Sequence, residues 1–247
     1  MDRLIYASLA AMRGSMSRQT AIANNLANAS TPGFRGEMAN AQSVWLNNGQ
    51  AFNSATVSEQ VINADMTAGT INKTGRNLDV ALEGDALLTV QGDDGQEAYT
   101  RRGDLQVSPT GLLTTGDGKP VMGSGGPITL PPADSISIAP DGKILIVPAG
   151  GDASQPQEVE RLRLVSPKGT AIAKQLDGLF GVKGGGTLPE DPDAKVQSGA
   201  LETSNVSATD ALVQMIEASR QWDVQLKMIG DARDNDRAGA ELMSLPQ

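Results

Sequence analysis

The clusters in this 247-residue chain whose residue types could do chemistry are carboxylates, and the chain contains no histidine and no cysteine. Thiolate nucleophiles, imidazole bases, the usual zinc sites and disulfide staples are thereby excluded. Two acidic runs remain, Asp93-Asp94-Gly95-Gln96-Glu97 and Glu190-Asp191-Pro192-Asp193. Neither has the ligand spacing of a calcium loop, and both read as solvated turns. An acid pair for glycoside hydrolysis is defined by its separation in space, but a chain with 3% aromatic residues makes a poor sugar platform. The glycine runs Gly123-Ser124-Gly125-Gly126 and Gly184-Gly185-Gly186 lack the Gly-Lys-Ser/Thr of a phosphate loop. No catalytic residue, cofactor or metal ligand is predicted, and the net charge of −9 argues against nucleic acid and anionic membrane as partners.

The polar residues that do stand out are amides. Asn24, Asn25 and Asn28 fall within five positions at the end of a helical pattern, where asparagine is a poor helix former. One reading has Asn28 cap the helix while the others face water; the other places an amide in a helix interface, where it fixes register. Ser204-Asn205-Val206, before the second helical pattern, has the same two readings.

Two heptad patterns flank the chain. Ile5, Leu9, Met12, Met16, Gln19, Ala23 and Leu26 follow 4-3 spacing, ended by Asn28-Ala29-Ser30-Thr31-Pro32-Gly33. Ala208, Leu212, Met215, Ser219, Trp222, Leu226 and Ile229 repeat that spacing after Ser207-x-x-Asp210, a capping-box signature. The stripe fades beyond Ile229, so fraying is expected after about Ala232. The first segment carries Arg3, Arg13, Arg18 and Arg35 against Asp2, whereas residues 200–247 hold four basic and eight acidic residues. Opposite charge on two similar seams predicts that they pair, within one chain or between chains. No apolar run approaches the roughly 20 residues of a membrane span, and residues 4–12 do not read as a cleaved signal.

Between the seams the period changes. Residues 36–69 are poor in large apolar residues and read as an extended connector. From residue 70 the apolar period is two, as in Leu78/Val80/Leu82, Leu88/Val90, Leu105/Val107 and Ile144/Ile146, with turns at Asp94-Gly95, Asp117-Gly118 and Asp141-Gly142. The expected fold is α+β and multi-part: a helical arm at 1–35, the connector at 36–69, an all-β barrel- or sandwich-like domain at 70–198, and a second helical arm at 199–247. The arms are expected to pair as a coiled-coil layer and to gain helix when their stripes are buried.

Several motifs in order carry a resemblance. Met1-Asp2-Arg3-Leu4-Ile5-Tyr6, the run from Ala23 to Arg35 that includes Thr31-Pro32-Gly33-Phe34, and Gly199-Ala200-Leu201-Glu202-Thr203-Ser204-Asn205-Val206 resemble the bacterial flagellar rod and hook axial family. So do Thr74-Gly75-Arg76-Asn77-Leu78-Asp79-Val80, Tyr99-Thr100-Arg101-Arg102-Gly103 and Gly111-Leu112-Leu113. The short distance from Gly33-Phe34 to Asp79-Val80-Ala81 is most similar to the proximal-rod branch. Two departures, Ala86-Leu87-Leu88 for Gly-Phe-Phe and Leu105 for phenylalanine, keep the positions apolar and predict altered packing in an unchanged fold.

The resemblance implies a non-enzymatic rod subunit of the periplasmic drive shaft in the flagellar basal body. It implies export without a cleaved signal through the flagellar type III apparatus, and copies of itself or other rod proteins as partners. The surrounding bushing rings are a further candidate partner. The assembly interface is assigned to Ile5, Leu9, Met12, Met16, Ala23, Asn24, Asn25, Leu26, Asn28, Leu212, Met215, Trp222, Leu226 and Ile229, with Thr31, Pro32, Gly33, Phe34, Ser204, Asn205 and Val206 as family motif. The alternatives are a distal-rod or hook-type protein of the same family and, from another class, a stalked surface adhesin or scaffold.

Overall fold

A computed structural model describes residues 2–45, 55–151, 155–175 and 177–243; residues 2–10, 39–45, 55–63, 232, 236 and 239–243 are described as backbone alone. The chain divides into two compact units, one of Met1–Asn28, Glu37–Asp65 and Val206–Gln247, the other of Ala29–Gly36 and Met66–Asn205.

The first unit contains two helices and a ribbon. Helix α1 (Asp2–Ala27) runs 26 residues and ends where sequence predicts. The Asn28 backbone N–H still reaches the Asn24 carbonyl at 3.1 Å, and its side-chain amide donates to the same carbonyl at 3.0 Å. The Asn24 carbonyl thus takes both the last helical N–H and the side-chain cap. Residues 36–69, expected to be an extended connector, instead contain strands β1 (Glu37–Trp45) and β2 (Ala55–Ala64), paired antiparallel with a register shift after Met38. Val44, Trp45, Val57 and Val61 supply β-branched and aromatic strand formers among the polar residues, and ladder pairing satisfies the backbone.

Helix α2 (Ala208–Met243) starts as its capping signal requires, with the Ser207 hydroxyl accepting from the Asp210 N–H at 3.3 Å. It runs 36 residues, past the expected fraying point. The apolar stripe fades there, but Ala238, Ala240, Glu241, Leu242 and Met243 are strong helix formers and carry the backbone onward. Helix α1 is in contact with α2 and with β2. Among the described residues no helix is long and apolar enough to cross a membrane.

The second unit is β-rich, as the period-two pattern predicts. Strands β3 (Ile71–Lys73), β4 (Val80–Leu82), β5 (Leu87–Gln91), β6 (Glu97–Thr100), β7 (Leu105–Val107) and β8 (Leu113–Thr115) are short and separated by tight turns. After the small hairpin β9 (Met122–Gly123) and β10 (Gly126–Pro127), strands β11 (Ala133–Ile138), β12 (Lys143–Pro148) and β13 (Gln157–Arg161) form a three-stranded sheet. The β11–β12 turn uses Asp141-Gly142, with Gly142 at φ +82°. Strands β14 (Leu164–Val165), β15 (Ile172–Lys174) and β16 (Phe180–Val182) join β5 and β6 in a five-stranded sheet of order β14-β5-β6-β16-β15. Finally β17 (Val196–Ser198) pairs with β4 and β18 (Ala200–Glu202) with β3. Leu82, Leu88, Leu105, Ile144, Leu162 and Leu164 meet in one buried cluster. The three leucines that stand for the family's phenylalanines, Leu87, Leu88 and Leu105, are all fully enclosed, Leu88 and Leu105 within that cluster.

Two expected boundaries move. Residues 29–35, assigned by sequence to the first arm, and 199–205, assigned to the second, belong to the β-rich unit. The reason is backbone pairing: β18 is a strand, and the Gly33 N–H bonds the Glu202 carbonyl at 2.8 Å. Residues 37–65, expected to stand apart, group with the helices.

Candidate assembly interface

Each helix has a covered side. Among the described side chains of α1 the buried positions are Gly14, Ser15, Ala21 and Ile22, with Arg18 and Asn25 partly covered. Of the seam residues, Met16 is 57% exposed, Gln19 and Ala23 are exposed, and Met12 and Leu26 are half-buried. Ile5 and Leu9 lie in α1, but their side chains fall outside the described residues. On α2 the covered positions are Ala211, Met215, Ala218, Trp222, Gln225 and Ile229. Of the residues assigned to the assembly interface, Met215, Trp222 and Ile229 are partly covered, while Leu212 and Leu226 are exposed.

Small side chains let neighbouring backbone, helix or ribbon, approach closely. Here the fully buried positions are nearly all glycine, serine or alanine. The larger residues Leu212, Val213, Ile216, Val224, Leu226 and Met228 are left exposed on α2. The Arg18 guanidinium of α1 donates to Gln221 Oε1 of α2 at 3.3 Å.

At the end of α1 Asn28 caps the helix, as one reading expects, while Asn24 and Asn25 bond the start of β1. Asn25 makes two bonds with Glu37 at the start of β1, donating to its carbonyl at 2.9 Å and accepting from its N–H at 2.7 Å. The amide side chain thereby imitates a strand partner. Asn24 donates to the Glu37 carboxylate and accepts from Asn28 at 2.8 Å, so Asn28 is the cap and Asn24 and Asn25 hold the ribbon.

Asn205 repeats the device within the β-rich unit. Its Oδ1 accepts from the Gly36 N–H at 2.8 Å, its Nδ2 donates to the Thr67 carbonyl at 3.1 Å, and its own N–H bonds the Phe34 carbonyl at 3.3 Å. Thr31, Pro32, Gly33 and Phe34 form a loop in which Gly33 has φ +66° and an added Cβ would lie 2.2 Å from the Arg101 carbonyl. Phe34 lies under the Lys174 ammonium, 3.6 Å from the ring centre, and the same ammonium donates to the Arg35 carbonyl at 2.9 Å. Ser204 and Val206, on either side of Asn205, are partly covered.

A buried ion cluster lies beside these amides and was not foreseen. Glu202 meets Arg35 at 2.7 Å and Arg101 at 2.6 Å. All three residues lie inside quoted motifs, but nothing in the spacing of residues 35, 101 and 202 pairs them.

The acidic runs behave as turns. Asp93 takes the Lys119 ammonium at 2.5 Å, a bond that raises the lysine pKa, while Asp94 accepts from the Gln96 N–H and Glu97 pairs with Arg163. In the second run Asp191 accepts from the Asp193 N–H. Among the described residues no cluster of three or more potential metal ligands forms.

Comparison with known proteins locates this arrangement. Residues 5–35 match the flagella basal body rod protein family, 81–146 the flagellar hook protein FlgE/F/G D1 domain, and 197–242 the flagellar basal body rod FlgEFG protein C-terminal family. The flagellar basal-body rod protein FlgF of Salmonella typhimurium is 39% identical over 251 residues, spanning 99% of this chain and 100% of its own. The chain belongs to the flagellar basal-body rod protein family. FlgF of Escherichia coli is likewise 39% identical, and FlgG of Bacillus subtilis is 31% identical over 252 residues, with 93% of this chain and 94% of the relative covered. The N-terminal match ends at Arg35 and the C-terminal match contains Glu202 and Asn205, so the two matched segments meet at the buried cluster.

Proposed function

We propose that this chain is a structural, non-enzymatic subunit of the flagellar proximal rod. It polymerises through its terminal helices, with copies of itself and with other rod proteins, into the hollow shaft that carries torque from rotor to hook. The observation that carries this reading is the exposed apolar residues of α2 together with Met16 on α1. Exposed large apolar residues in such number are costly in water and are covered when neighbouring subunits pack against them.

In the assembly, the seam residues Met16, Ala23, Leu212 and Leu226 make coiled-coil contacts between subunits, while the small-residue faces keep α1 and α2 of one chain close. Contacts that repeat without closing generate a helical tube. The β-rich unit is a barrel- or sandwich-like body carried by that tube. The chain passes unfolded through the flagellar type III apparatus without a cleaved signal, and its acidic surface faces the bushing rings.

The test is complementation of a rod-deficient strain with Leu226→Asp or Leu26→Asp, scored by motility and by the protein content of isolated basal bodies. Each variant is expected to be absent from the rod while its β-rich unit stays folded. Normal incorporation of both would refute the reading.

A further inference from the structure

Glu202 is 2% exposed and stands between Arg35, also 2% exposed, and Arg101 at 3%. Two guanidiniums share one carboxylate in a site without bulk water, so its loss strands two buried cations. The carboxylate also accepts from the Gly69 N–H at 2.8 Å.

The two arginines are anchored differently. Arg101 follows β6 and donates to the carbonyls of Leu82, Gly84 and Ala86, at 3.0, 2.6 and 2.8 Å, which fastens it to the β4–β5 region whatever Glu202 does. Arg35 comes from the loop 29–36, the stretch that leaves α1 and enters β1. Around it, Gly33 donates to the Glu202 carbonyl, Gly36 to Asn205 Oδ1, and Arg35 to the Thr67 carbonyl at 2.6 Å. The loop is therefore tied to Glu202, to residues within a few positions of it or of Gly69, and to the Lys174 ammonium, while Arg101 is tied to the core.

We propose that Glu202 is a latch for the loop 29–36. With the carboxylate in place the loop is seated on the β-rich unit; without it the loop leaves as one piece and the β core, with Arg101, stays closed. This device is independent of the rod reading.

Trypsin tests it on the full chain, because Arg35 is cleavable only when unseated. In Glu202→Gln the rate of cutting after Arg35, followed by mass spectrometry, is expected to rise about tenfold or more, since cleavage follows the population of the open form. Cutting at Arg101-Arg102 is expected to stay at the wild-type rate. An unchanged rate at Arg35 overturns the latch, as does opening of both sites together. If the variant yields no soluble chain, hydrogen exchange in the wild type decides. The Gly33 and Gly69 amides, both bonded to Glu202, are expected to exchange at one common rate, faster than Leu113 and Val121. Exchange of all four at the same rate overturns the proposal.

Discussion

In the β-rich unit the large apolar side chains are inside. Leu82, Leu87, Leu88, Leu105, Leu113 and Leu164 are at most 1% exposed. In the described part of the helices the pattern is reversed: the fully buried apolar residues are Ala21, Ile22, Ala211 and Ala218, while Val213, Ile216, Val224 and Met228 are half or more exposed. One unit spends its hydrophobicity on its own core and the other holds it at the surface. The difference teaches that stability and assembly are encoded in separate parts of the chain, so substitutions should separate them.

The largest effect on the isolated chain is expected from Leu88→Ala, which empties a fully enclosed position and should cost about 2–5 kcal/mol in urea unfolding. A cost no greater than that of an exposed helix residue would break the contrast. Gly33→Ala comes next. It forces a side chain into a left-handed backbone and against the Arg101 carbonyl, for roughly 2–4 kcal/mol. That loss should appear in the unfolding of the β-rich unit, confirming that the loop belongs to it and not to the arm.

Tyr99 sharpens the comparison through pH. Its ring is fully enclosed and its hydroxyl accepts from the Leu188 N–H at 2.7 Å. Burial raises its pKa above the ordinary 10.0, although the Leu188 bond works in the opposite direction. The unfolded chain releases this proton near pH 10 while the folded chain holds it. The contribution to stability is therefore complete below that pH and lost as pH rises above it. Tyr99→Phe should flatten this alkaline loss and cost about 1–3 kcal/mol at neutral pH, because the Leu188 N–H is left without an acceptor. An unaltered alkaline limb in pH-dependent unfolding would contradict the assignment. The smallest effect is expected from Leu226→Ser, within about 0.5 kcal/mol on the isolated chain. A larger destabilisation would show that the exposed apolar residues already serve the single chain.

Sequence alone was enough for the arrangement of a helix at each end around a β-rich middle, because it depends on local periodicity. The same holds for Ser207 as cap, Asn28 as terminator and the Asp-Gly turns, whose partners lie within a few residues. The motifs that resemble rod proteins were also legible, and the family matches bear them out. The ribbon at 37–64 was missed because its strands carry no alternating apolar face to mark them.

Three things only the tertiary structure decided. Which positions of each helix are covered depended on the elements packed against it, and α1 has both α2 and the ribbon as neighbours. The strand-like bonds of Asn25 and Asn205 depended on backbone that arrives from elsewhere in the chain. The Arg35–Glu202–Arg101 cluster joins charges drawn from near both ends and the middle. Periodicity reports which residues avoid water, but the choice of partner for a buried charge or amide is made by the fold, because only there does its desolvation have to be matched by a particular group.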